Sequence, residues 1–546
     1  MEKKKVKLFS TIALVALALL VIGATYAYFQ NQYGAASNAN VKVTTYTTDI
    51  LTFETGSNIS ITAGQDDFAS GKGNKKGQTF TRATLQANNK TNTATAKYNV
   101  YLNIENNEFS YTKTGTPELL LQVVDKTSGN PVTSITGLNY KTVTDGKNTS
   151  ISGFDITNKS GLITILNNKE INASPKTIEE YTITITFINH NYDQNINAGK
   201  SFNSKVIIQK ERLITSVSDV AKNGDNLVTA IQNLSTKSKP SYTGLFHHDA
   251  SLTNGAGDNS YRFAGADPNN YVCFGSDDAT CPNENLYRII GVIDGKVKLI
   301  HAYGATTTML GTNEGYAKTY KEAMSNNLEL AQSFYKGKED FAKIGTYKWN
   351  KSGTNTWSTS TTNTRNLNTN YLTYLDSKNT KWKTMIDDTT WYVGGMASTN
   401  GVESNAKTAY DYEVGANKDA KTTVISKIGM MYVSDYYYAA SKDYWTLPGY
   451  NSSGNDYSKA VNDNWLYTGL CELTISRRSD SFVSEFVVHG SGSVGDDDVG
   501  NSNGLAARPT FNLSSSIKFT SGEGTDVNPI RIQLWIHFIN CVFYEI

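Results

Sequence analysis

Aromatic residues in the second half of the chain are the side chains best suited to bind a ligand. Five of the seven tryptophans there are the candidates, and they lie among many tyrosines, asparagines and aspartates: Trp349, Trp357, Trp391, Trp445 and Trp465. Aromatic faces stack on sugar rings while amides and carboxylates bond to hydroxyls, and small-ligand sites combine both kinds of group. Tryptophan and tyrosine also fill cores that have few long aliphatic helices. The five tryptophans are therefore candidate ligand-facing residues, with an aromatic core as the alternative.

Four cysteines bear on the redox compartment of the protein: Cys273, Cys281, Cys471 and Cys541. The first two enclose a short loop that contains glycine and aspartate, and in an exported protein such a pair predicts a disulfide. A zinc site would need further cysteine or histidine ligands at a suitable spacing, and none lies nearby in the sequence. For Cys471 and Cys541, a disulfide between them, two free thiols and a link between chains all stay open.

One glycine motif could bind a dinucleotide. Residues 490–495 fit the pattern G-x-G-x-x-G and follow an apolar stretch, as such a site requires. Three aspartates, residues 496–498, come next, where a helix would have to begin and receive the phosphates. Because carboxylates repel a pyrophosphate, the motif predicts a surface turn.

The other polar clusters favour structural roles. The aspartate triple could bind calcium, but it lacks the D-x-D-x-D-G spacing of a calcium loop. We therefore predict that it is a solvated loop and that the protein has no cofactor. His247 and His248 precede Asp249, but the chain contains neither H-E-x-x-H nor G-x-S-x-G. No catalytic residue is therefore assigned.

The N-terminus carries an export signal. A lysine cluster (residues 3–7) precedes an uncharged, largely apolar run over residues 12–23 and a polar segment with small residues. This order is typical of a secretory signal peptide, and the run is shorter than the roughly 20 residues that span a bilayer. We predict cleavage between Ala27 and Tyr28. An uncleaved membrane anchor is the alternative.

Composition predicts a folded, β-rich extracellular protein. The 546 residues are enough for three or four domains, and a net charge of +1 provides no global field for nucleic acid or anionic membranes. Only 18% of residues are charged, while 33 tyrosines accompany many threonines. These residue types favour strands over helices.

Periodicity divides the chain into successive parts. Residues 28–212 contain alternating runs such as 98–104 and 181–187, which predict an all-β sandwich. Apolar residues spaced three or four apart predict a short helical linker over 213–240. Residues 241–533 mix strands with short helices, including a hairpin around Asp294-Gly295, and predict an α+β domain. Residues 534–546 form an apolar tail that predicts an edge strand.

Two segments resemble known families. Residues 23–30 resemble the signal peptides of biofilm-fibre and camelysin-type proteins of Gram-positive bacteria, and this resemblance implies a jelly-roll-like sandwich after the leader. The second half resembles a domain of unknown function in secreted proteins of low-GC bacteria, which is remotely similar to the formylglycine-generating-enzyme and C-type-lectin-like group. The matching stretches are 258–262, 269–273, 281–291, 428–435, 474–477, 507–509 and 511–513. Leu473 and Cys471 stand where that pattern normally has a tryptophan.

Together these features predict a secreted or cell-surface bacterial protein that acts without catalysis in adhesion, matrix building or ligand recognition. The expected partners are a glycan or a surface protein, with no nucleic acid and with membrane contact only through the N-terminal segment. An alternative is a surface enzyme that acts on peptides or glycans. Residues 28–46 could also add as a strand to a neighbouring subunit, or pair within their own sandwich.

Overall fold

The computed structural model describes residues 41–42, 49–68, 73–88, 92–402, 404–447 and 455–534. The predicted leader, its cleavage site at Ala27 and Tyr28, residues 535–546 and Cys541 lie outside this range. The chain divides into two compact units, one ending at Leu213 and one beginning at Ile214.

The first unit is built from eleven described strands. They are β1 (Val41–Lys42), β2 (Ile50–Thr55), β3 (Ile59–Thr62), β4 (Lys75–Gln86), β5 (Ala94–Asn107), β6 (Leu119–Asp125), β7 (Tyr140–Thr144), β8 (Ser150–Asp155), β9 (Gly161–Ala173), β10 (Lys176–Phe187) and β11 (Ser201–Gln209). One sheet has the order β1-β2-β4-β10-β6-β8-β7 and the other β3-β11-β5-β9. All their ladders are antiparallel.

Alternating side chains explain why these sheets face each other. In β10, Tyr181, Ile183 and Ile185 are buried while the threonines at 182 and 184 are half-buried, as the sequence predicts. They share one hydrophobic core with residues of the other sheet, such as Leu102 and Phe202. The predicted β-rich first half is thus confirmed. Its first described strand, β1, pairs with β2 of the same chain.

The second unit mixes strands with short helices. Its strands are β12 (Leu245–His248), β13 (Ser260–Phe263), β14 (Tyr271–Cys273), β15 (Leu286–Ile293), β16 (Lys296–His301), β17 (Tyr316–Thr319), β18 (Gly345–Tyr347), β19 (Thr389–Tyr392), β20 (Thr423–Ser426), β21 (Ile428–Gly429), β22 (Glu472–Arg477), β23 (Ser484–Val488), β24 (Val494–Asp498), β25 (Leu505–Ala506), β26 (Thr510–Asn512), β27 (Ile517–Ser521) and β28 (Arg531–Leu534). Its helices are α1 (Leu227–Lys237), α2 (Pro240–Thr243), α3 (Thr307–Leu310), α4 (Tyr320–Ala323), α5 (Leu328–Phe334), α6 (Leu372–Lys378), α7 (Thr380–Thr384), α8 (Ser398–Gly401), α9 (Ala406–Glu413), α10 (Val433–Tyr438) and α11 (Asn455–Asn462). A π-helical segment, Thr362–Tyr371, leads directly into α6.

Two larger sheets organise this unit. One has the order β12-β13-β15-β16-β26-β21, with β14 also paired to β15, and the other has the order β17-β18-β25-β22-β23-β24. The predicted hairpin is present: β15 and β16 pair antiparallel across Asp294 and Gly295, whose φ angles of 50° and 71° suit a tight two-residue turn. This hairpin and α10 position the charged groups described below.

The predicted helical linker over residues 213–240 differs from the observed structure. The first of the two expected helices is only a 3-10 turn at Val217–Asp219, and the second is α1. In α1, Leu227, Ile231 and Leu234 are fully buried in the core of the second unit. The segment is therefore part of that unit, because its apolar face needs a core to cover it.

The end of the described chain forms a small antiparallel pair. Strand β28 pairs with β27, and Ile517 lies opposite Leu534, so the tail begins as a strand. None of the helices within the described ranges is long and apolar enough to cross a membrane.

Candidate functional site

The five candidate tryptophans do not face a ligand. Trp349, Trp357, Trp391 and Trp445 are 1% exposed, and Trp465 is 5% exposed. Four indole N–H groups donate to backbone carbonyls, for example Trp465 to Phe263 at 2.8 Å. The ligand-facing prediction is wrong for these side chains, because the unit uses them to fill an aromatic core.

Charged side chains meet inside that core. Arg262 lies on β13, Lys298 on β16 and Asp435 in the first turn of α10, and all three are at most 5% exposed. The Lys298 Nζ atom lies 2.5 Å from Asp435 Oδ2, and Arg262 Nη1 lies 3.3 Å from Asp435 Oδ1. Arg262 Nη2 also lies 2.9 Å from the Oδ2 atom of Asp258. We call these four residues the ion cluster.

Backbone donors at the start of α10 add to the ion cluster. The Asp435 carboxylate accepts from the Tyr432 N–H at 2.9 Å. At the end of α9, the Glu413 side chain accepts from the N–H groups of Val433 at 3.0 Å and Ser434 at 2.9 Å, and from the Ser476 hydroxyl. Free N–H groups and the dipole make a helix start favourable for carboxylates. Glu413 therefore holds α10 in place beside the cluster.

Burial shifts the titration of these groups. It raises the pKa of Glu413 to about 7, although its bonds to Ser434 and Ser476 act in the opposite direction. Burial also lowers the pKa of Lys298, against the attraction of Asp435. For Asp258, burial alone would raise the pKa, but Arg262 and Ser260 hold it at about 2. Glu413, which lies beside the cluster, is thus a carboxyl whose pKa is close to neutral pH.

A second buried ion pair lies elsewhere in the same unit. Arg508 Nη2 lies 2.7 Å from Glu472 Oε2, and both side chains are at most 3% exposed. Arg508 also donates to the Leu466 carbonyl at 2.8 Å, and Thr468 donates to Glu472. Each hydrogen bond satisfies a group that would otherwise be costly to bury.

The sequence alone did not predict that Lys298 and Glu413 lie among other charged side chains in the core. Lys298 lies within an otherwise apolar hairpin strand, Val297-Lys-Leu-Ile300, and a charge in such a strand is the signal that could have found it. Nothing local distinguishes Glu413, because its partners are 20 or more residues away in the sequence.

The predicted disulfide is present. Cys273 and Cys281 are bonded to each other, and the loop between them carries exposed Asp277 and Asp278. Cys471 has no disulfide partner among the described residues; its sulfur accepts from the Gly490 N–H at 3.2 Å, and burial raises its pKa.

The histidine pair is structural. The ring of His247 stacks on Tyr261 at 4.3 Å, and its Nδ1 atom lies 3.3 Å from Asp249. His248 is fully buried, accepts from the Ala256 N–H at 3.0 Å, and has a pKa lowered by burial to about 3. A neutral, enclosed imidazole suits packing rather than acid–base chemistry.

The glycine motif is a hairpin turn. Residues 489–493 connect β23 to β24, which pair antiparallel, so the predicted turn is confirmed. All three aspartates lie on β24, so the loop predicted for them is instead a strand. Asp496 lies 2.8 Å from Arg478 Nη1, and Asp497 accepts from Asn501. Within the described ranges, no group of three or more histidine, cysteine or acidic side chains could hold a metal ion.

An open groove of about 740 Å³ lies beside the disulfide loop. Trp382, Met385 and Ile532 form its apolar floor, and charged side chains from the loop, α7 and β28 form its rim. On the rim, Lys381 pairs with Asp277 and lies 4.6 Å from the Trp382 ring centre. We call this the loop groove. A smaller groove of about 410 Å³ lies on the first unit, next to residues 141–144 and 190–192.

No family model matches this chain, and neither a curated protein nor a solved structure does. Asp258, Arg262, Asp435 and Arg508 belong to the two buried charge groups described above. These residues therefore act first as parts of the fold.

Proposed function

We propose that this chain is an exported bacterial protein whose mature part works outside the cell as a non-catalytic recognition or matrix module. The observation that carries the proposal is the Cys273–Cys281 disulfide in a solvent-facing loop, because such bonds persist in oxidising compartments. The basic and apolar leader ending near Ala27 points to the same destination.

The loop groove is the proposed recognition face. Its volume lies in the range of small-ligand sites, and it combines an apolar floor with rim charges of both signs from Asp277, Lys381 and Arg531. Such a face suits a polar ligand with little net charge, such as a glycan or a segment of a surface protein. The charged residues of the core serve a different purpose, since they pair with each other beneath the surface.

The proposal also includes the detailed fold that is expected for each unit. A jelly-roll-like first unit and a C-type-lectin-like second unit both suit extracellular recognition. Self-association through residues 28–46 stays a prediction; within that segment, Val41 and Lys42 pair with Phe53 and Thr52 of the same chain.

A glycan array with the chain from Tyr28 onward tests the recognition face. We expect one class of glycan to bind the wild type and the exposed-site control Lys338→Ala, whose partner is Asp526. We expect the double variant Lys381→Ala with Arg531→Ala to lose that binding.

Equal binding by both variants would contradict the loop groove as the site. Hydrolysis of any glycan or peptide in the library would contradict the non-catalytic role and support a surface enzyme. If no glycan binds, a glycan ligand is excluded, and the same three proteins are then tested on extracellular proteins.

A further inference from the structure

Among the described residues, one buried lysine amine contacts a buried carboxyl group, and the two lie on distant segments. The Nζ atom of Lys298 on β16 lies 2.5 Å from Oδ2 of Asp435 on α10, although 137 residues separate them in sequence. The side chains are 6% and 2% exposed. We propose that Lys298 and Asp435 condense into an intramolecular amide bond that ties the central hairpin to α10.

The surroundings favour this reaction. The Lys298 ammonium position lies 4.8 Å from the ring centre of Tyr432 and 5.7 Å from that of Trp391, so the pair is enclosed by aromatic faces instead of water. Fixed proximity of two reacting groups replaces the entropy cost of bringing them together. Burial lowers the pKa of Lys298, which increases the fraction of neutral, nucleophilic amine.

The reaction balances without a co-reactant. A proton passes from the Lys298 ammonium to the Asp435 carboxylate, and the neutral amine nitrogen attacks Cγ. The N–C bond forms, the bond from Cγ to one oxygen breaks, and that oxygen leaves as water with the second proton of the amine. No atom is oxidised or reduced.

Neighbouring groups supply what the transition state needs. Arg262 Nη1 faces Asp435 Oδ1 at 3.3 Å, so it stabilises negative charge that develops on the oxygen that remains. Glu413 holds the backbone two residues before Asp435 and interacts electrostatically with both partners. With a pKa raised by burial to about 7, it holds a proton available at neutral pH.

The charge balance of the core also favours the bond. Two buried charges that are costly to desolvate disappear, and the remaining pair, Arg262 with Asp258 at 2.9 Å, stays matched. The Arg508–Glu472 pair of the same unit is equally buried, but a guanidinium remains protonated. That pair is an internal control that stays ionic.

Intact mass spectrometry of the purified, reduced full chain tests the proposal. We expect the wild type to be lighter than its sequence mass by one water molecule, and a proteolytic digest to contain the Lys298 peptide joined to the Asp435 peptide. Lys298→Arg keeps the positive charge and should show the full mass. Asp435→Asn should lose ammonia in place of water.

A folded wild type with its full sequence mass and two separate peptides would overturn the proposal. A loss of water without the linked peptide would overturn it as well, since other residues can dehydrate. Because the wild type itself gives the readout, the result does not depend on any variant folding.

Discussion

Each described ion pair of the first unit has at least one partly exposed partner, whereas the second unit also contains ion pairs in which both side chains are buried. In the first unit, the Arg82 side chain is 34% exposed and pairs with Glu54 and Glu180 across neighbouring strands. In the second unit, Arg508 and Lys298 lie in the core, and their carboxylate partners are 36 and 137 residues away. Surface pairs contribute little to stability, while buried pairs are costly to break.

The contents of the two cores explain this difference. The sandwich core is mainly aliphatic, with Ile183, Ile185 and Leu121 as examples. The second core contains aromatic faces, and Arg288 lies 4.1 Å from the Tyr271 ring centre and 4.7 Å from that of Trp465. Aromatic faces attract cations, so a core of this kind accommodates charge that an aliphatic core excludes.

The largest expected effect comes from breaking a buried pair. Arg508→Met leaves Glu472 buried without its partner, and we expect the free energy of unfolding to fall by about 3–5 kcal/mol. Urea unfolding followed by tryptophan fluorescence reports this unit, because all seven tryptophans lie after residue 348. Combining Arg508→Met with Glu472→Leu should restore most of the lost free energy of unfolding. If it does not, the unpaired Glu472 is not the cause of the destabilisation.

The next effect is a pH dependence that only the second unit should show. The pKa of Glu413 is raised to about 7 from its ordinary value of 4.5, so the folded state keeps a proton that the unfolded chain releases. Its stabilising contribution is complete below pH 4.5 and is lost as pH rises through 7, by roughly 3 kcal/mol.

Glu413→Gln removes this titration. Unfolding free energies measured between pH 4.5 and 8 should therefore fall with pH more steeply in the wild type than in the variant. Parallel curves would show that Glu413 titrates at its ordinary value in the folded protein.

Loss of the disulfide should have a smaller effect. Replacing Cys273 and Cys281 by serine opens a loop with a sequence separation of 8, and loop-closure entropy predicts a loss of about 2.5 kcal/mol. Thermal unfolding of the double variant, with reduced wild type as its control, measures this. Reduction could lower the melting temperature of the wild type while the double variant melts at the same temperature as the oxidised wild type. In that case the Cys273–Cys281 disulfide does not stabilise the protein.

The smallest effect should come from the exposed pair of the first unit. Arg82→Met removes contacts to Glu54 and Glu180 at a partly solvated site, so we expect a loss of at most about 1 kcal/mol. Circular dichroism during urea unfolding reports both units, so a transition that tryptophan fluorescence does not show belongs to the sandwich, which contains no tryptophan. A loss as large as that of Arg508→Met would remove the contrast between the two units.

The hydrophobic periodicity of the sequence predicts individual strands and tight turns. The alternation at residues 181–187 and the Asp294-Gly295 turn are present as expected, because a strand face and a two-residue turn are set by neighbouring residues. The tryptophans were harder to place, since an indole suits both a binding face and a core. Periodicity alone predicts a linker at α1, because only tertiary packing shows what covers the apolar face of this helix.

The ion cluster could not be predicted from local sequence either, because it depends on tertiary packing. Asp258 and Arg262 are four residues apart, but Lys298 and Asp435 join them only through the sheet and α10. Pairing between distant segments leaves no local pattern in a single sequence.

Export is the claim on which the proposed function depends, and the mature N-terminus tests it most directly. Protein recovered from the medium or cell surface of a bacterial host should begin at Tyr28, with Cys273 and Cys281 oxidised. The full-length chain in the cytosol, with its first residues intact and both thiols reduced, would contradict an extracellular role.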